Sequence, residues 1–144
     1  MKNLLLFLFF SISQQIFSQN TDFTYLYKGT IDSKIAITLY LHTTTNTCDG
    51  SNRYDAMYKY DNSNKWIQLN VSNNDSEKNF CLVEQNFSGV MILTKMPKTF
   101  SGKWINPNGD KQLKVIINLQ ILSSKTKKKL EEKFEKLNYE NNDC

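Results

Sequence analysis

Arginine is almost absent from this chain: Arg53 stands alone against seventeen lysines. Proteins that read base edges lean on arginine's fixed donor fork, so the composition excludes a nucleic-acid reader, and a formal net charge of +4 is small for one. Histidine also occurs once, at His42. A single histidine with three scattered cysteines supplies no zinc-ligand spacing, so no metal site and no cofactor is expected. A Ser-His-Asp or Cys-His triad would have to use His42, which closes an apolar run beside a threonine-rich stretch and reads as a surface or turn residue. With five glycines the chain has no glycine-rich phosphate loop, and no nucleophile elbow is present. Past residue 20 no apolar run approaches membrane-spanning length, so no transmembrane segment is expected.

The long apolar run that does exist is at the start. In MKNLLLFLFFSISQQIFSQN, Lys2 precedes an unbroken apolar stretch from Leu4 to Phe10, and polar residues follow. That order is the charged, apolar and small-residue progression of a secretory signal peptide, expected over residues 1–18 with cleavage near Ser18. No cysteine follows the boundary to carry a lipid, so the expectation is a secreted or periplasmic protein. Loss of the leader removes Lys2 alone among charged residues, leaving 17 basic against 14 acidic groups, net +3.

From Phe23 the apolar residues recur with period two, the repeat of half-buried strands. Ile35, Ile37, Leu39 and Leu41 share one face of KIAITLYLH, and Leu113, Val115, Ile117 and Leu119 share one face of QLKVIINL. Between these runs lie YDAMYKY, KWIQLNV, FCLVEQ, GVMILTK and TFSGKWI, separated by Asn, Asp, Ser and Gly clusters such as Asn106-Pro107-Asn108-Gly109-Asp110. Eight short strands with hairpin-length connections and no intervening helix predict an all-β fold: an eight-stranded antiparallel up-and-down meander or barrel over residues 19–122. A barrel of that strand number is filled by side chains or holds one small ligand.

The ending changes period. In SSKTKKKLEEKFEKLNYE, Leu130, Phe134 and Leu137 fall at i, i+4 and i+7, with Ser123 or Ser124 placed to cap. A C-terminal helix is expected over 123–139, packed on or beside the barrel, followed by a polar tail at 140–144. In a meander the loops 43–52 and 72–79 share one end of the barrel, which suggests a Cys48–Cys81 disulfide in an oxidising compartment and leaves Cys144 over.

The remaining chemistry rests on a few acids and rings. Glu84 lies on the same face as Phe80 and Leu82. Turned inward, it is a buried carboxylate in need of a partner such as Arg53 or a lysine; the simpler expectation puts it at the barrel rim, in water. In RYDAMYKYDNSNKW, Tyr54, Ala56, Tyr58 and Tyr60 alternate with Asp55, Met57 and Lys59. Packing within a half-buried strand, with Trp66 pairing Tyr60 across the hairpin, is the expected role of these rings; lining a ligand is the alternative. The loops Asp61-Asn62-Ser63-Asn64 and 106–110 resemble calcium ligands faintly but lack the downstream glutamate, and turn chemistry accounts for both.

The order Y-K-G-T-I, I-T-L-Y-L, Y-K-Y, L-V-E and F-S-G-K-W over about residues 27 to 119 resembles a family of small exported bacterial β-rich proteins of unknown function, Bacteroidota-like in the style of the leader. The resemblance implies the fold and export, and no activity. The plan of eight strands and a helix is also weakly lipocalin-like, although Gly102-Lys103-Trp104 falls in the seventh strand where a lipocalin's G-x-W belongs to the first.

The leading expectation is therefore a non-enzymatic exported barrel that binds a small apolar or glycan-like ligand, with Tyr58, Tyr60, Trp66, Glu84 and Trp104 as candidate contacts and no catalytic residue. The alternative is a protein-interaction or inhibitor module of the cell envelope acting through loops 43–52 and 72–79. A carboxylate-based hydrolase using Glu84 and Asp55 is the minority reading.

Overall fold

Alternating apolar residues become strands wherever turn residues let the chain reverse, and a computed structural model describes residues 22–142 as eight such strands and a helix. The leader and Cys144 lie outside the described residues. The strands are β1 (Asp22–Ile31), β2 (Ile35–Thr45), β3 (Asn52–Tyr60), β4 (Ile67–Asn73), β5 (Asn79–Glu84), β6 (Val90–Met96), β7 (Thr99–Ile105) and β8 (Gln112–Gln120). Each pairs antiparallel with the next, and β8 returns to β1 through pairs such as Gly29↔Ile117, so the meander closes into a barrel. Closure leaves no unpaired edge strand. The loops expected at 43–52 and 72–79 are shorter, 46–51 and 74–78, because β2 and β4 continue pairing to Thr45 and Asn73.

The inward face of the barrel is filled by side chains. Tyr27, Ile37, Leu39, Leu41, Tyr54, Ala56, Tyr58, Leu69, Phe80, Leu82, Met91, Leu93, Phe100, Val115 and Ile117 form one buried cluster. Its rings meet edge to face, Tyr54 on Phe80 at 5.1 Å, Phe80 on Phe100 at 5.3 Å and Phe100 on Tyr27 at 4.9 Å. This geometry sets a positive ring edge against a negative face and adds about 0.5–1.5 kcal/mol per pair beyond burial. Gly102 sits at an inward position of β7 where a Cβ would collide with the Ile92 carbonyl oxygen, so the sheet can coil tightly there only without a side chain.

The helix α1 (Ser124–Asn142) covers the outside of the barrel. Ser123 caps it, its Oγ accepting from the Thr126 amide at 3.2 Å. Leu130, Phe134 and Leu137 turn onto Leu26, Tyr40 and Met57, the outward residues of β1, β2 and β3, with Phe134 stacked on Tyr40 at 5.7 Å. Met57, which shares the outward face of β3 with Asp55 and Lys59, is therefore wholly buried. The helix also runs three residues past its expected end at 139 and takes in part of the anticipated tail. The tie is polar as well as apolar: Gln68 donates to Asn138 at 2.7 Å and accepts from Asn141 at 2.8 Å. Among the described residues no helix is long and apolar enough to cross a membrane.

The expected Cys48–Cys81 bridge is not formed; both thiols are free. Phe80 and Leu82 point inward, so the two-residue repeat turns Cys81 to the outer face of β5, between Ser72 and Ile92. Cys48 is exposed in the β2–β3 loop. At this end of the barrel Glu77 of the β4–β5 loop reaches the start of β3 instead. It accepts from Asn52 Nδ2 at 2.9 Å and from the Tyr54 hydroxyl at 2.7 Å.

Candidate functional site

At the end of the barrel that carries the β1–β2, β3–β4, β5–β6 and β7–β8 turns, a carboxylate lies under the rim. Glu84 ends β5 with its side chain inward and only 4% exposed. Its Oε1 accepts from the Tyr58 hydroxyl at 2.5 Å and from the Trp104 indole N–H at 2.8 Å, and its Oε2 accepts from the Ser88 hydroxyl at 2.6 Å. Hydrogen bonds to a charged group contribute about 1.5–3 kcal/mol each, which offsets the cost of taking a carboxylate out of water.

These donors come from separate parts of the chain and are brought together by closure. Tyr58 follows Tyr54 and Ala56 on the inward face of β3, and Trp104 is near the end of β7. Ser88 comes from a tight turn after β5, in which Gln85–Phe87 form one 3-10 turn and Asn86 and Phe87 hold φ of 65° and 54°. Such left-handed non-glycine residues are strained and persist where the surroundings hold them. Here Gly89 closes the turn, its carbonyl accepting the Glu84 amide at 2.9 Å. Any Cβ at Gly89 would stand 2.6 Å from both Glu84 Oε1 and Trp104 Nε1, so glycine lets the turn pack directly on that hydrogen bond.

Burial, followed by the hydrogen bond to Glu84, pushes the Tyr58 phenol far above its ordinary value of 10.0. Tyr60 lies with its hydroxyl 3.0 Å from that of Tyr58 and its ring edge-on at 5.4 Å. Above this network Tyr60 and Trp104 line a depression of about 220 Å³ together with Ile31, Ile35, Lys111 and Leu113. Its wall is apolar and aromatic with one ammonium at its edge, and Trp104 is held in place from below by Glu84.

Four of the sequence candidates, Tyr58, Tyr60, Glu84 and Trp104, thus form one constellation. Trp66 does not join it. The first paired residue of β4 is Ile67, opposite Tyr58, so Trp66 precedes the strand and packs instead on the cluster beneath α1. Nor is Glu84 at a wet rim or paired with Arg53 or a lysine. Its partners are neutral, and the Arg53 guanidinium lies 3.4 Å from Asp55. Asp55 occupies an outward position of β3, so the two acids named for a hydrolase do not converge. Among the described residues no three His, Cys, Asp or Glu side chains gather to hold a metal. In the 106–110 turn, Asn106 donates to Asp110 at 2.6 Å and accepts the Lys111 amide at 2.9 Å, as a turn requires.

Ser88, Gly89, Ile35 and Lys111 were not anticipated. Ser88-Gly89 reads as turn punctuation, and nothing in it signals a carboxylate four residues earlier. No family model, no curated protein and no solved structure matches this chain.

Proposed function

We propose that the chain is an exported, non-enzymatic binding protein that takes a small apolar or glycan-like ligand at the rim of the barrel. The observation that carries this reading is the depression walled by Tyr60, Trp104, Ile35 and Leu113 over a carboxylate that fixes the indole. A flat ring held rigid by a buried hydrogen bond loses little entropy when a ligand stacks on it. The barrel interior is taken up by its own rings and aliphatic chains, which favours the rim over an enclosed cavity. The Lys111 ammonium at the edge suits a sugar hydroxyl or ring oxygen.

Titration of the protein with neutral tetrasaccharides of chitin, cellulose and starch type, read by calorimetry, tests this directly. Binding that is lost in Tyr60→Ala and unchanged in Lys129→Ala supports the rim. Binding that survives Tyr60→Ala contradicts it.

One observation favours a second reading at the opposite end. Glu77 ties the β4–β5 loop to Asn52 and Tyr54 of β3, so loop 74–78 is preorganised at the end that also carries loop 46–51, a polar surface suited to an envelope protein partner.

A further inference from the structure

A second concave surface lies on the barrel flank, between α1 and the β3–β4 connection, and shares no lining residue with the rim depression. It encloses about 570 Å³ and is lined by Trp66, Lys59, Lys129, Lys133 and Lys136, with Glu132 as its one acid. We propose that this groove binds an acidic oligosaccharide, one whose sugar rings carry carboxylate or sulfate groups.

Three features separate it from an ordinary solvated lysine face. Lys129, Lys133 and Lys136 recur at i, i+4 and i+7, so they form one row about 10 Å long at 1.5 Å per residue. Like charges at i, i+4 repel, and among the described residues neither Lys129 nor Lys133 forms an ion pair. Glu131 lies two residues from each, on another face of the helix, where it pairs with Lys127 at 3.7 Å and accepts from the Thr24 hydroxyl at 2.8 Å. Lys136 is paired with Glu140 at 3.7 Å, and the repulsion between Lys129 and Lys133 is left for an anion to relieve.

The second feature is that the fold adds a cation from elsewhere. Lys59, far away in sequence on β3, reaches the same groove with its ammonium 5.9 Å from the Trp66 ring centroid and 3.4 Å from the Ser63 carbonyl. The third is Trp66 itself. Part of its ring packs on the cluster beneath α1, which orients it, and the half-exposed remainder opens into the groove among the ammoniums. An aromatic plane ringed by cations matches a ligand with a flat carbohydrate face and negative substituents.

The same geometry disfavours an anionic membrane. A helix that lies on lipid must offer an apolar face, and the apolar stripe of α1, Leu130, Phe134 and Leu137, is already turned to Leu26, Tyr40 and Met57. What remains outward is concave and cationic.

The probe is a heparin-derived tetrasaccharide, titrated calorimetrically into the protein at low and high salt. Binding should weaken with salt, and Lys129→Ala/Lys133→Ala should weaken it about tenfold while leaving the circular dichroism spectrum unchanged. Both lysines are exposed, so the double variant should fold. Trp66→Phe, which keeps an apolar ring beneath α1, should weaken it further. Absence of binding overturns the proposal, as does an affinity indifferent to the double substitution. Inorganic sulfate binding as tightly as the tetrasaccharide would reduce the groove to a general anion patch. Phosphatidylglycerol vesicles bound through the same lysines, with no tetrasaccharide binding, would make it a membrane surface instead.

Discussion

Trp104 donates its indole N–H to Glu84 at 2.8 Å, joining the end of β7 to the end of β5 across the strand that separates them. Glu84 is also held by Tyr58 from β3, so one carboxylate couples three strands beneath the rim. Its removal should be costly. Glu84→Ala leaves the Trp104 N–H and the Ser88 hydroxyl without their acceptor and the Tyr58 hydroxyl with Tyr60 alone at 3.0 Å, a loss on the order of 3 kcal/mol. Glu84→Gln keeps the one oxygen that Tyr58 and Trp104 share and changes only the group facing Ser88, so it should cost about 1 kcal/mol. Urea unfolding of both variants checks the difference; equal stabilities would mean the network does not hold the barrel end together.

Gly89 should be the least replaceable residue of the β5–β6 turn. In Gly89→Ala the new methyl would stand 2.6 Å from Glu84 Oε1 and Trp104 Nε1, so the hydrogen bond must open or the turn must move. Overpacking of this kind costs about 1–3 kcal/mol. Tryptophan fluorescence should shift in this variant and remain unchanged in Gly50→Ala, where no atom lies within 4 Å of the added Cβ. Gly50 has φ of +71°, so that control is strained but leaves Trp104 undisturbed.

Acid stability should depend on Glu77. The Tyr54 hydroxyl beside it holds its carboxyl below the ordinary value of 4.5. A carboxylate whose folded value is depressed contributes stability that is present above its unfolded value and lost as pH falls through the folded one. Melting temperature should therefore be level above about pH 5 and decline through pH 4 and below. Glu77→Gln should flatten part of that decline. An identical acid slope in the variant would remove Glu77 from the explanation.

Alkaline stability follows the opposite sign. Burial pushes the Tyr27 and Tyr40 phenols up to about 12 from 10.0. Groups raised in this way contribute stability that is complete below the unfolded value and lost as pH rises through the folded one. The barrel should weaken between pH 10 and 12, with tyrosinate absorbance appearing for these rings only as the fold is lost. Early, reversible ionisation of every tyrosine at constant circular dichroism would contradict that burial.

Much of the fold was legible because barrel strands announce themselves locally. The parity of Ile37, Leu39 and Leu41, or of Val115 and Ile117, already sorts inside from outside, and the turn residues mark each reversal. The same parity placed Cys81 outside with Phe80 and Leu82 inside, so the strand pattern itself argued against a bridge to Cys48. What could not be read was anything that depends on a second element arriving from far along the chain. Tyr40 and Met57 are outward by parity and buried only because α1 lies over them. Glu84 is inward by parity, but whether it meets water or donors depended on Trp104 and Ser88, which no local spacing connects to it. Trp66 failed as a partner of Tyr60 because strand pairing begins one residue later, at Ile67.

The rim reading is tested most directly by the two tryptophan indole N–H signals in a nitrogen–proton correlation spectrum, recorded while a bound neutral tetrasaccharide is titrated in. Trp104 faces the rim depression and Trp66 the flank groove, so the two signals report separate surfaces. If the ligand sits at the rim, the Trp104 signal moves in proportion to saturation and the Trp66 signal stays in place. A moving Trp66 signal with a stationary Trp104 would contradict recognition at the rim.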